Sequence, residues 1–383
     1  MALVDRQRTI TPYPLARPSY GPEEINAVVA TLKAGQTTCG IRVREFETKF
    51  ARYLGRDHAV MFNSGSSADM LVAFGLGKPD SRDEICVPAV TWPTQIWACL
   101  LAGYRVRLVD VDARTLQIDQ SALSAAINTR TRAVFVAHIL GNVGDMDTLR
   151  NDLPCAVIED CCEALGAKWQ GRHVGTFGRA AAFSFFFSHL INTMEGGMVV
   201  TDDPMHDRQY RLLRSHGWEP KRDYRFWFPT WGMNVRPTEV QGAFGGVQMG
   251  RLEQFFEART NNVARLDAVT HKQYPSLLHG IHVDSRCTPS WHGFPLMVDQ
   301  DAPFSKFQLC RWFESHQIET RPIVAGNLAR QPAVVGEERI SFGDLPGADA
   351  VHERGFYIGV PSHDDVGNIT YVGEVLHDFM RQF

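Results

Sequence analysis

Five short apolar runs, each followed by a helix-like stretch, constrain the fold of this chain more than any other feature. They are His58–Phe62, Glu84–Pro88, Val106–Asp110, Ala133–Ala137 and Ala156–Asp160. Near-continuous apolar strands alternating with helices require a mostly parallel sheet covered on both faces. Ligands of such sheets gather at the carboxyl ends of the strands. The residues that follow these runs are polar: Asn63-Ser64-Gly65-Ser66-Ser67, Thr91-Trp92 and Cys161-Cys162-Glu163, with Asp160 at a strand end. The geometry brings them to one edge.

The chain has 383 residues, 44% of them hydrophobic, enough for a large α/β domain plus a smaller one. The large domain is expected over residues 1–250 and the small one over 251–383. A long helical stretch begins near Pro237 and runs past Arg259, with Val240, Phe244, Val247, Leu252 and Phe255 as its apolar positions. Beyond it come an apolar run at Gly293–Val298, a helix around Ser305–Gln317 and a closing helix near Val372–Phe383, which reads as α+β.

The formal charge is 39 − 43 = −4, with no basic run, so a nucleic-acid partner is not expected. No apolar run is long enough to span a bilayer. Met1–Arg8 lacks the apolar stretch of a leader. The expectation is a cytoplasmic protein with no membrane partner. Eight cysteines show no framework spacing, so most read as free thiols. Adjacent Cys161 and Cys162 lack the gap of a zinc knuckle, and no metal is expected.

Several residues could carry chemistry, each with a plainer alternative. Asn63–Ala68, between a strand and a helix, could cradle a phosphate, or be an ordinary cap and turn. Asp160 could hold a pyridine nitrogen protonated, or cap a helix. Trp92 could stack on a flat ring, or be core. His189 follows the aromatic run Phe183–Phe187 and precedes Met194-Glu195-Gly196-Gly197. It could move a proton near neutral pH, or be a structural histidine beside a buried strand.

Taken in order, these segments resemble the DegT/DnrJ/EryC1/StrS family of pyridoxal-phosphate-dependent sugar enzymes. The likeness covers most of the chain. It runs through Phe46-Glu47, Tyr53-Leu54-Gly55, Asn63–Ala68, Val90–Thr94, His138 with Gly141-Asn142, Glu159–Gly166, Ser184-Phe185, Glu195-Gly196-Gly197 and Gly232-Met233-Asn234. It implies pyridoxal-phosphate fold type I, like aspartate aminotransferase. That fold has a large domain with a mostly parallel seven-stranded sheet, a small α+β C-terminal domain, and a homodimer with shared active sites. By motif, Ser66, Ser67 and Ser184 would bind the phosphate, Trp92 would stack on the ring and Asp160 would face its nitrogen. Asn234 would reach the partner subunit's cofactor.

In that pattern His189 stands where the family carries its cofactor-binding lysine. This resembles a subclass of sugar 3-dehydratases, typified by GDP-4-keto-6-deoxymannose 3-dehydratase. Thr320–Pro332 resembles a small-domain segment of the same subclass. Arg321, Arg330 and His216 are the candidate substrate-binding residues. The resemblance implies loss of the C3 hydroxyl from a nucleotide-linked 4-keto-6-deoxy sugar. Pyridoxal or pyridoxamine phosphate would be held non-covalently, with His189 as the base, Glu163 assisting, and L-glutamate restoring the amine. Only Cys287 and Cys310 follow His189, too few for the iron–sulfur cluster of one branch. The sequence departs from the pattern at Leu190, where a second histidine is usual, and at Met194. Open alternatives are transamination or decarboxylation on the same fold, and a non-catalytic cofactor-binding relative.

Overall fold

The computed structural model describes residues 13–221 and 224–383. The Met1–Arg8 segment, read above for a leader, lies outside the described residues. The expected runs form strands β1 (His58–Phe62), β2 (Glu84–Pro88), β3 (Arg105–Val109), β4 (Thr131–Ala137) and β5 (Ala156–Asp160), followed by β6 (Ala180–Ser184) and β7 (Gly197–Thr201). They pair in the order β1-β7-β6-β5-β4-β2-β3, with Ile340–Ser341 added beside β3. Only β7 runs against its neighbours. Among the described residues the sheet therefore has eight strands rather than seven. The added strand is two residues long, too short to show a period, and it arrives from the C-terminal part of the chain.

Side chains alternate across this sheet as a two-residue period requires. Val60 and Phe62 enter one core cluster, while Ala59 and Met61 enter the other. Both faces are covered by helices, so the strands stay apolar along their length. Because β1, β2, β4, β5 and β6 point the same way, their carboxyl ends share one edge.

A second, antiparallel sheet orders Leu278–His279, Gly293–Val298, Gly355–Gly359 and Thr320–Pro322. Its core joins Phe294 and Ile358 to Leu266, Leu309 and Val372 from three helices. Tyr13 enters the same core, and its hydroxyl donates to the Gly359 carbonyl at 2.9 Å. The long helix expected from Pro237 divides into Glu239–Gln248 and Leu252–Val269 across a tight turn at Met249–Arg251. Gly245, Gly246 and Gly250 weaken helix propensity around that break. The closing helix starts earlier than expected and spans Val366–Met380. Among the described residues no helix is long and apolar enough to cross a membrane.

Candidate active site

The shared strand edge opens onto a cavity of about 660 Å3, a size that suits a small-molecule ligand. After β1, Ser64 caps the helix Gly65–Gly75, its side chain accepting a hydrogen bond from the Ser67 N–H. Ser64, Gly65 and Ser66 line the cavity, so this helix presents its N-terminus there. Free N–H groups and the helix dipole favour an anion at that point. Glycine is needed at 65, because a Cβ there would lie 2.6 Å from the Cβ of Ser184 at the end of β6. That approach brings the Ser184 hydroxyl beside the helix start. The Ser66 hydroxyl lies 3.1 Å from that of Thr94.

Asp160 is the last residue of β5 and only 7% exposed. One of its oxygens accepts the Cys162 N–H at 2.8 Å and the other accepts the Gln95 side-chain amide. Asp69 also lines the cavity, buried, with one oxygen unpaired among the described residues. Burial, then the charge of Asp160, pushes its carboxyl well above the usual range. Trp92 is 56% exposed yet lines the cavity, which leaves its indole face open to a flat ring.

His189 stands on the loop between β6 and β7, its backbone N–H donating to the Phe186 carbonyl at 3.0 Å. Burial, followed by the nearby Arg259 guanidinium, lowers its pKa to about 3. The imidazole is therefore neutral and able to accept a proton at neutral pH. Arg259 is buried behind it and donates to the Ser188 carbonyl at 3.2 Å and the Trp291 carbonyl at 3.0 Å. Glu163 lies beside these groups, one oxygen accepting the Leu140 N–H at 2.7 Å. Burial raises its pKa to about 7, against the pull of that N–H. No lysine is among the described residues that line the cavity.

Of the residues singled out by sequence, Ser66, Trp92, Asp160, Glu163, Ser184, His189 and Arg321 line this cavity together. Four do not. Ser67 is buried one step behind, its hydroxyl donating to Asn63 Oδ1 at 2.7 Å, so it supports the helix start rather than facing the cavity. Arg330 points elsewhere, paired with Asp349 at 2.7 Å and Glu353 at 2.9 Å. His216 and Asn234 are exposed outside the cavity of their own chain. Sequence reasoning missed Asp69, Gln95, Arg259, His292 and Tyr357. Asp69 lies in a quoted motif's helix and could have been flagged as an acid on a buried face, and Gln95 adjoins the quoted Val90–Thr94; the other three stand in segments without a motif.

Comparison with known proteins agrees with this architecture. The model of the DegT/DnrJ/EryC1/StrS aminotransferase family matches residues 18–377. GDP-4-keto-6-deoxy-D-mannose 3-dehydratase of Yersinia pseudotuberculosis is 33% identical over 91% of this chain and 93% of its own length. A crystal structure of a GDP-4-keto-6-deoxymannose-3-dehydratase mutant with bound GDP-perosamine superposes with a TM-score of 0.90 at 32% identity, covering 95% of this chain and 100% of that one. Another, of the dehydratase with a trapped PLP–glutamate geminal diamine, gives a TM-score of 0.89 at 32% identity over 95% and 100%. By sequence match along nearly its whole length, the chain belongs to the DegT/DnrJ/EryC1/StrS aminotransferase family.

Proposed function

We propose that this chain is a pyridoxal-phosphate-dependent 3-dehydratase of a nucleotide-linked 4-keto-6-deoxy sugar, with L-glutamate as amino donor. The carrying observation is an imidazole, His189, in a cavity with no lysine among its described lining residues. A sugar aminotransferase of this family needs a lysine to bond the cofactor and release product. The dehydratases named above support GDP as the nucleotide to try first.

The residues fit the cofactor by the chemistry of the donors they offer. An anion site at a helix N-terminus, with the Ser66 and Ser184 hydroxyls, suits a phosphate. A buried carboxylate, Asp160, suits a protonated ring nitrogen. When bound as the amine, the cofactor supplies a nucleophile for the keto group and a ring that takes up electrons. Asp160 would keep a bound ring nitrogen protonated, and Trp92 would cover a face of the ring. His189 would accept a proton at Nε2 as the base and deliver one to the departing C3 oxygen of the sugar, which leaves as water. Arg321 holds the sugar nucleotide. Asn234 and His216, exposed on their own chain, serve the site of a second copy in a homodimer. Eight free cysteines support a reducing, cytoplasmic setting.

The test is mass spectrometry of products from GDP-, CDP-, dTDP- and UDP-linked 4-keto-6-deoxy sugars with cofactor and glutamate. A 3-deoxy-4-keto sugar is expected. An amino sugar as the sole product would overturn the reading.

A further inference from the structure

A second imidazole faces His189 from a segment without a motif. His292 precedes the strand Gly293–Val298, and its ring centroid lies 4.9 Å from that of His189, with the planes at 60°. Its Nε2 is 3.9 Å from Glu163 Oε1. The other Glu163 oxygen is fixed by the Leu140 N–H, which leaves Oε1 on the His292 side. A small cavity of about 10 Å3 is lined by His189, His292 and Glu163 together with Arg259 and Ser290, about the room of one water molecule. Arg259 donates to carbonyls on both the His189 and His292 segments, so one guanidinium fixes the two backbones relative to each other.

Packing alone does not account for this arrangement. Any flat ring would fill the edge of His189, as Phe186 does at a centroid distance of 6.1 Å. The Nδ1 of His189 is buried and has no hydrogen-bond partner among the described residues. Buried ring nitrogens need one; His292 and Glu163 share the small cavity with His189, and the third titratable group there, Cys162, is kept a thiol by burial. The adjacent position offers no substitute, because Leu190, which also lines the small cavity, has no group that exchanges a proton.

We propose that His292 connects His189 to Glu163 as a proton store for the dehydration, a role that rests on the function proposed above. When His189 accepts a proton at Nε2, it releases the proton on Nδ1 toward a nitrogen of His292, across the small cavity. His292 then gives the proton on its other nitrogen to the Glu163 carboxylate. One proton has moved from His189 to Glu163 and both imidazoles are neutral again; Glu163 holds the proton as an uncharged acid until the same path, run in reverse, returns it through His292 and His189 to the departing C3 oxygen, which leaves as water. The other charged or titratable groups facing this path are Arg259 behind both rings, Cys162 in the lining of the small cavity with its thiol pushed well up by burial, Asp160 before Glu163, and Tyr357 beside His292 and Glu163. Burial, followed by Arg259 at His189 and by His189 and then Arg259 at His292, disfavours a standing charge on either imidazole. Glu163, with its pKa near 7, is an acceptor suited to neutral pH.

The experiment uses His292→Phe, His292→Gln, Glu163→Gln and the double variant His292→Phe/Glu163→Gln. In 15N-histidine-labelled, cofactor-free protein, Glu163→Gln should move the ring-nitrogen signals of both His292 and His189. A His189 signal that stays in place overturns the connection, whatever the substrate proves to be. In the loaded enzyme, either single change should lower kcat about 10- to 100-fold with KM changed less than about threefold. The double variant should be little worse than either single one, as expected of groups acting as a unit. The wild-type kcat should rise with pH through about 7, where Glu163 becomes an acceptor, and that rise should vanish in Glu163→Gln. Additive losses, or a rise that persists, overturn the relay. If His292→Phe does not fold, His292→Gln replaces it in each comparison. A wild-type enzyme that forms no deoxy sugar overturns the proposed function, while the cofactor-free spectra still judge the connection.

Discussion

A lysine at position 189 would bond the cofactor and later displace the product from it. An imidazole can only exchange protons. His189→Asn is therefore expected to lower dehydration by at least ~100-fold while cofactor affinity, read by fluorescence titration, stays within about threefold of wild type. Retained turnover would remove His189 from the chemistry. The same residue predicts a pH effect on stability. Its folded pKa, about 3, lies below the ordinary 6.5. Its contribution is thus present above 6.5 and lost as pH falls from there toward 3. Urea midpoints should drop between pH 6.5 and 4, and His189→Asn should flatten that drop. A profile unchanged by the substitution would contradict the buried, neutral imidazole.

Among elements, the strand edge and the helix N-terminus decide where the site forms. Gly65 shows how little room separates them, and Gly65→Ala would force the helix start away from Ser184. Crowding of this kind costs about 1–3 kcal/mol. The expected outcome is cofactor affinity at least ~10-fold weaker, measured by calorimetry, with the far-ultraviolet spectrum unchanged. Equal affinity would mean that this junction does not hold the phosphate. These elements were legible in the sequence because each rests on local chemistry. An apolar run ends in Asp160, and a strand is followed by a serine cap before a helix. His292 and Arg259 were not legible. Their contacts with the His189 loop join segments far apart in sequence, and neither has a distinctive neighbour. Arg330 misled for the converse reason: its segment matched, but Asp349 and Glu353 on a neighbouring helix hold its charge. The eighth strand, Ile340–Ser341, exists only through its pairing with β3, which no local pattern could announce.

At the scale of the whole molecule, the proposed division at residue 250 is bridged twice. Ile340–Ser341 joins the large sheet, and Tyr13 joins the core of the small one. The two parts should therefore unfold together, giving one calorimetric transition; two separated transitions would contradict the coupling. The exposed positions of His216 and Asn234 make the proposed homodimer testable by complementation. His189→Asn and Asn234→Asp subunits, each inactive alone, should regain activity when dissociated and reassembled as mixed dimers. Random pairing makes half the dimers hybrid, each with one intact site, for about a quarter of wild-type activity. No recovery would mean that Asn234 serves its own chain.

The central claim is that the cofactor is held without a covalent bond and His189 works as a base. Borohydride reduction of the pyridoxal-phosphate-loaded protein, followed by intact-mass spectrometry, tests it most directly. The predicted result is the mass of the unmodified chain, with the cofactor released on denaturation. A chain heavier by one reduced cofactor, attached to a lysine, would contradict it.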